Sequence, residues 1–299
     1  MRPRRLCYHP GMRPRLIVLD ADGTVWLGSE AVPAAPSFIA RARAAGLRCV
    51  LASNNAKPGR RDYLEKCRKL GLAFELADIF SVNHLAGPHL AKHYPGARTL
   101  VLGSEEFAAA VGEHLPAISA ERWLAEHGIP SAHPGTSRML DPADMEQMQA
   151  ARFDLVLVGI DHAVNYLKLS FGCIAVEQGA RLIGANQDPT YPVEHRIELP
   201  GNGSLVQLLA LVTRAEPEYL GKPEPHMLRQ IAAETGVPVA EMAVVGDRVE
   251  TDIEMARRLG LPSFLVLTGV TAAADAPQGV PGMQVAPTLD DVAALLGIP

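Results

Sequence analysis

Short apolar runs closed by polar residues recur along the chain. The first is Leu16–Leu19 (LIVL), followed at once by Asp20. A continuous run of this length, without polar alternation, predicts a strand covered on both faces of a parallel sheet. A helical stretch, Pro36–Ala45, then stops at Gly46, a second apolar run spans Leu47–Leu51, and a second helical stretch, Asp62–Leu70, stops at Gly71. Strand, helix, strand in this rhythm predicts a doubly wound sheet with right-handed crossovers.

The rhythm restarts at Thr99–Leu102 and at Leu155–Val158, with helices between and after them. His114–Gln149, rich in Pro, Ala and Glu, reads as helical and loop decoration. Arg181–Ile183 reads as a strand, Gly201–Val212 and His226–Thr235 as helices, and Met242–Val245 and Ser263–Leu267 as buried parallel strands. The expected architecture is α/β: a Rossmann-like core built from both ends of the chain, with a second α/β domain inserted in the middle.

Bulk properties narrow the partners. At 299 residues, 48% hydrophobic and 20% charged, the chain has the composition of an ordinary globular protein. A net charge of −5 argues against nucleic-acid binding and against docking on an acidic membrane. The early basic residues Arg2, Arg4, Arg5, Arg13 and Arg15 read as a solvated tail. Cys7, Cys49, Cys67 and Cys173 show no paired spacing, which suggests reduced thiols rather than a disulfide framework or a zinc site. No apolar stretch approaches the roughly 18 residues of a membrane span, and Arg and Pro break any apolar signal core at the start. These features predict a cytoplasmic protein.

Open α/β sheets carry their chemistry just beyond the carboxyl ends of strands, and four polar clusters lie beyond apolar runs or beside a helix start. Asp20-Ala21-Asp22-Gly23-Thr24 places two carboxylates at the end of a buried strand, a costly position unless a cation or substrate satisfies them. Asp20 is placed to attack phosphorus, and Asp22 to protonate a leaving oxygen and later deprotonate water. Ser53-Asn54-Asn55 offers a hydroxyl and amide N–H groups for phosphoryl oxygens, although alone it is also an ordinary loop. Lys222, in Gly221-Lys222-Pro223-Glu224-Pro225, would neutralise nucleophile and phosphate, or would be a surface turn. Asp247, in Gly246-Asp247-Arg248-Val249-Glu250-Thr251-Asp252, suits Mg²⁺, and Asp252 would steady a metal-bound water or Lys222. An N-cap followed by helix-dipole acids is the plainer reading of that last cluster. The order of the four, each following the element that would bring it to one face of one sheet, favours the functional reading.

The chain resembles the haloacid dehalogenase superfamily in these four motifs. It is closer still to the NagD and 4-nitrophenylphosphatase-like branch in Ser53-Asn54-Asn55, Val158-Gly159-Ile160-Asp161, Asn165-Tyr166, Gly184-Ala185-Asn186-Gln187-Asp188-Pro189-Thr190-Tyr191-Pro192 and Pro200-Gly201-Asn202-Gly203-Ser204-Leu205. The likeness runs from about Leu16 to Val270. It implies an N-terminal extension over 1–15, a core of 16–83 and 196–299, and a cap of 84–195 that sits over the site and supplies specificity. It also implies Mg²⁺ held by Asp20, Asp247 and the backbone carbonyl of Asp22. The phosphate would be held by Ser53, Asn54, Asn55 and Lys222, and Asp161 and Tyr191 would lie near the substrate. Chemistry alone suggests His195 and Arg196 as further candidates.

The chain departs from the family at Ala56-Lys57, where Ser-Arg is common, and in the length of Ala117–Gln149. The resemblance implies a phosphatase acting on a small phosphorylated metabolite through an aspartyl-phosphate, and it is compatible with a homodimer. Two other readings stay open: a phosphotransferase or mutase using the same nucleophile, and an idle ligand-binding homologue.

Overall fold

The computed structural model describes residues 14–56, 59–129, 141–192 and 197–299. Arg2, Arg4, Arg5, Cys7, Arg13, Lys57, His195 and Arg196 lie outside the described residues. The chain divides into two compact units. One comprises the described residues up to Ser53, Arg60–Ser81 and Lys222–Pro299, and the other Asn54–Gly59 and Val82–Gly221.

The first unit opens with β1 (Leu16–Asp20), a ribbon of β2 (Trp26–Leu27) and β3 (Glu30–Ala31), α1 (Ala35–Ala44), β4 (Arg48–Ser53), α2 (Arg60–Lys69) and β5 (Ile79–Ser81). The second unit carries α3 (Val82–His93), β6 (Thr99–Leu102), α4 (Glu105–Gly112), β7 (Ala117–Ser119), α5 (Ala120–Glu126) and α6 (Pro142–Ala150). It continues through β8 (Leu155–Val158), α7 (Tyr166–Glu177), β9 (Arg181–Gly184), β10 (Thr190–Pro192), β11 (Glu198–Pro200), α8 (Asn202–Thr213) and β12 (Glu218–Tyr219). The chain returns to the first unit with α9 (His226–Thr235), β13 (Met242–Gly246), α10 (Glu254–Arg258), β14 (Ser263–Leu265), β15 (Met283–Val285) and α11 (Leu289–Leu296).

The first unit is a parallel sheet in the order β15-β14-β13-β1-β4-β5. Leu16, Ile17, Val18 and Leu19 of β1 are all buried, as a strand covered on both faces requires. Each such side chain contributes about 1.5–3 kcal/mol of burial. On one face Ile17 and Leu19 share a core with Phe38 and Ile39 of α1, Tyr63 and Cys67 of α2, and Leu289 and Val292 of α11. Pro36 lies in the first turn of α1 and Gly46, at φ +82°, follows its end, so the helix boundaries come from local chemistry. Because β1 lies between β4 and β13, the strand order changes direction there, and a crevice opens at the carboxyl ends of β1 and β13.

The second unit has its own parallel sheet, β12-β9-β8-β6-β7, and an antiparallel β10–β11 ribbon. Its core gathers Leu100, Trp123, Val156, Phe171, Leu182, Val206 and Leu209. The expected strands at Thr99–Leu102, Leu155–Val158 and Arg181–Ile183 are all in this sheet.

Three expectations change. The stretch 198–221 belongs with the second unit rather than the core, because β12 pairs with β9 and Val206 and Leu209 of α8 lie in the second core. Within the segment read as decoration, Ala117–Ser119 is a strand of the sheet, paired with β6. The predicted strand at Ser263–Leu267 ends at Leu265, beyond which Leu267 N–H bonds to the Pro287 carbonyl at 3.2 Å.

Among the described cysteines, Cys49, Cys67 and Cys173 are unpaired. Burial pushes the Cys49 thiol up to about 12, so it behaves as a small apolar side chain. No helix of the described residues is long and apolar enough to cross a membrane.

Candidate active site

Three of the expected carboxylates and the expected lysine meet in the first unit. Asp20 ends β1, Asp247 follows β13, and Asp252 lies on a single π-helical turn, Val249–Ile253, that leads into α10. One carboxylate oxygen from each lies within 4.8 Å of the others. The Lys222 ammonium donates to Asp20 Oδ1, to the Ala52 carbonyl at 3.2 Å and to Asp252 Oδ1 at 2.7 Å. Its side chain is 3% exposed, against 12% for Asp20 and 2% for Asp252. Asp252 also accepts the Arg248 N–H through Oδ2 at 3.2 Å, so both of its oxygens are engaged. Asp252 therefore anchors Lys222, one of the two roles expected of it.

Close packing leaves no room for side chains around this group. A Cβ on Gly246 would overlap the Asp252 carboxyl, and one on Gly23 or Gly269 would overlap the Asp247 carboxyl. Gly23 also sits at φ +92°, a conformation that favours glycine. The loop after β14 fastens Asp247: Val270 N–H donates to Oδ2 at 2.6 Å and the Thr271 hydroxyl to its carbonyl at 2.6 Å. The Thr268 hydroxyl donates to the Gly23 carbonyl at 2.6 Å, tying the same loop to the first motif. Sequence reasoning missed this Thr268–Thr271 segment. Its signal was the polar Thr-Gly-Val-Thr run directly beyond an apolar strand, the same pattern that marked the other clusters.

The electrostatics are unbalanced. When all are ionised, three carboxylates against one ammonium leave a net charge of −2. Burial pushes the Asp20 carboxyl well above its usual range; Lys222 pulls it back, and Asp252 and Asp247 push it up again. Burial and then Asp252 raise Asp247 to about 6. Burial alone would lower Lys222, but Asp20 and Asp252 outweigh it and hold the ammonium above its ordinary range. Asp247 Oδ1 is buried and has no hydrogen-bond partner. A buried, unsatisfied carboxylate oxygen is costly. A dication against the Asp20 and Asp247 oxygens would satisfy Oδ1 and cancel the −2 excess, so the residues fit a hard divalent ion.

Ser53 ends β4 and is buried; its hydroxyl shares a 2.7 Å hydrogen bond with the Tyr63 hydroxyl of α2. Burial pushes the Tyr63 phenol up, which keeps it a neutral O–H. Asp22 lies on the turn after β1 with a 62% exposed side chain, and its Oδ1 accepts the Trp26 indole N–H at 2.8 Å.

Asn54 and Asn55 group with the second unit. There the Asn54 amide donates to Asp188 Oδ2 at 3.2 Å and its carbonyl accepts from Asn186 at 2.7 Å. Asn55 is exposed. The Gly201-Asn202-Gly203 turn packs on this loop so closely that a Cβ on either glycine would overlap the backbone of Gln187 or Asp188. Asp161 is engaged within the second unit too: Oδ1 accepts Ala163 N–H at 2.8 Å and Oδ2 the buried Lys168 ammonium at 2.9 Å. The Tyr191 hydroxyl bonds to His162 Nε2 at 3.2 Å.

Comparison with known proteins points the same way as this geometry. Residues 17–114 match the family model of haloacid dehalogenase-like hydrolases, and residues 219–295 that of HAD-hydrolase-like proteins. The chain is 34% identical over 265 residues to glycerol-3-phosphate phosphatase of Gallus gallus, covering 85% of this chain and 80% of that protein. It superposes with TM-score 0.77 on the glycerol phosphate phosphatase of Mycobacterium tuberculosis solved in complex with magnesium, at 30% identity, covering 94% of this chain and 76% of that one. A 4-nitrophenylphosphatase of Thermotoga maritima gives TM-score 0.77 at 25% identity, with 94% and 97% covered. With its strand-end carboxylates, its lysine and these relatives taken together, the chain belongs to the haloacid dehalogenase-like hydrolases, in their NagD-like phosphatase branch.

Proposed function

We propose that the chain is a Mg²⁺-dependent phosphatase that hydrolyses a small phosphomonoester through a phosphoryl group carried on Asp20. The observation that carries this reading is the buried group of Asp20, Asp247, Asp252 and Lys222, which has more negative than positive charge and holds one unsatisfied carboxylate oxygen. A carboxylate of Asp20 attacks phosphorus as the ester P–O bond breaks. Asp22 gives its proton to the leaving oxygen, then takes one from the water that attacks the phosphoaspartate and releases inorganic phosphate. Lys222 neutralises the phosphoryl oxygens, and the Ser53 hydroxyl, oriented by Tyr63, donates to one of them. Asp20, Asp247 and the Asp22 carbonyl would hold Mg²⁺, which would supply the positive charge that lets an anionic nucleophile meet an anionic ester.

The phosphatases among its relatives, those of Gallus gallus and Mycobacterium tuberculosis named for glycerol phosphate among them, support a small phosphorylated metabolite as substrate. Unpaired Cys49, Cys67 and Cys173 support action in the cytoplasm.

The test is phosphate release from 4-nitrophenyl phosphate and glycerol 3-phosphate by purified protein. Release with Mg²⁺, stoichiometric with free alcohol and abolished by EDTA, is expected. Full turnover in EDTA would refute the metal requirement, and transfer to an acceptor alcohol would make the protein a phosphotransferase.

A second expectation concerns pH. Asp247, raised from 3.8 to about 6, holds its proton more tightly folded than unfolded. The metal-free fold therefore loses stability as pH rises from about 4 through about 6. Metal binding needs deprotonated carboxylates, so Mg²⁺ should raise the thermal midpoint more near pH ~7.5 than near pH ~5. Equal shifts at both values would refute the assignment of Asp247 as a ligand.

A further inference from the structure

Asp22 draws its support from residues outside the four strand-end clusters. The indole N–H of Trp26, on β2, can only donate, and the ring is fully buried, so it needs an acceptor. That acceptor is Asp22 Oδ1 at 2.8 Å. Lys66 of α2 brings its ammonium to 3.8 Å from the same oxygen and 4.3 Å from the Trp26 ring centroid, within cation–π range. One turn earlier on α2, Tyr63 stacks on Trp26 with centroids 6.0 Å apart and bonds to Ser53. One face of α2 thus supports both Asp22 and Ser53.

We propose that Trp26 and Lys66 are positioning residues that fix the Asp22 carboxyl through Oδ1 and leave Oδ2 as the oxygen that gives and takes the proton. Because the indole is donor-only, its bond survives in the acid form only when the proton sits on Oδ2. From there the proton passes to the leaving oxygen as the P–O bond breaks, and Oδ2 regains one from the attacking water. Without this support, a side chain 62% exposed would sample several rotamers and present the acid in only a fraction of encounters. The inference rests on the reading of Asp22 as acid and base.

The experiment is kcat/KM, which reports the step that expels the leaving group, for phenyl phosphate and 4-nitrophenyl phosphate. Nitrophenolate departs without a proton, whereas phenolate gains from one. Trp26→Phe keeps the ring against Tyr63 and removes the N–H; Lys66→Met keeps the stem and removes the charge. Each should lower kcat/KM about tenfold for phenyl phosphate and no more than about twofold for 4-nitrophenyl phosphate. Equal losses on both substrates, or none, would overturn the proposal. Asp22→Asn sets the scale and should show the same split, larger, at about 10²–10³. If Asp22→Asn shows no split, the acid assignment itself is wrong. If it splits and neither supporting variant does, only the positioning role fails. Should Trp26→Phe not fold, Lys66→Met, at a partly exposed position, decides alone.

Discussion

Asp20→Asn should lower kcat for phosphate esters by about 10⁴-fold or more while leaving the metal-free fold as stable as before or slightly more so. The amide keeps the shape of the carboxyl but cannot attack phosphorus, and losses of this size are usual when a covalent nucleophile is removed. Burial pushes the Asp20 carboxyl well above its range, so its charged form is held in the fold at a cost. Asparagine removes that cost and reduces the excess negative charge around Asp247, while Lys222 retains Asp252 and the Ala52 carbonyl. Steady-state kinetics with Mg²⁺ and thermal unfolding in EDTA check the two halves separately. Turnover within about tenfold of the parent would remove Asp20 as nucleophile. A lower midpoint would mean that the Asp20–Lys222 pair is a net stabiliser.

Lys222→Met should damage both activity and fold. The new side chain matches the length of the lysine stem but leaves Asp20, Asp247 and Asp252 facing one another with no cation between them. Breaking a buried ion pair by removing one partner costs about 3–5 kcal/mol, because the remaining charge stays buried. Activity should fall at least 10²–10³-fold, approximately the effect of deleting one electrostatic donor to a transition state. The stability loss should shrink in acid. The Lys222 ammonium, held above its ordinary range, contributes its full stabilisation at neutral pH, and that contribution would be lost only in strong alkali. In the variant the Asp20 and Asp247 carboxyls, already raised by burial, take up protons as pH falls, which removes the repulsion. Urea unfolding near pH ~5 and pH ~8 measures this; equal losses at both would show that crowded negative charge is not the cause. Parent-like stability at the higher value would contradict the charge balance described above.

The strands that carry the candidate site were legible because each has an unbroken apolar run followed by a polar residue, and burial on both faces imposes that pattern. Leu16–Asp20 and Met242–Gly246 are the clearest cases. Strands β5, β7 and β15 were not legible: three residues show no period, and their identity comes from pairing with β4, β6 and β14. The expected return to the core at 196 failed for a similar reason. Glu218–Tyr219 is only two residues long, and nothing in them signals that they extend the second sheet.

Within the site, Asp20, Lys222, Asp247 and Asp252 could be read from the order of their motifs, since parallel strands bring every carboxyl end to one edge. Trp26, Tyr63 and Lys66 could not. Their meeting depends on how a two-stranded ribbon folds back and how α2 rotates about its axis, neither of which leaves a local pattern. Asp161 and Tyr191 show the opposite lesson. The resemblance implies places near a substrate for them, and the structure gives them partners, Lys168 and His162, that sequence alone did not indicate.

The middle strand of the first sheet, β1, aligns Leu16 with Met242. A ribosome making about 5–20 residues per second needs roughly 11–45 s to travel from the one to the other. Throughout that interval the nascent β1–β4–β5 half keeps an apolar, unpaired edge open to other chains, while the intervening segment has time to complete its own sheet. Closure of the first sheet therefore waits on β13, and the early half of the polypeptide passes through most of synthesis with that edge uncovered.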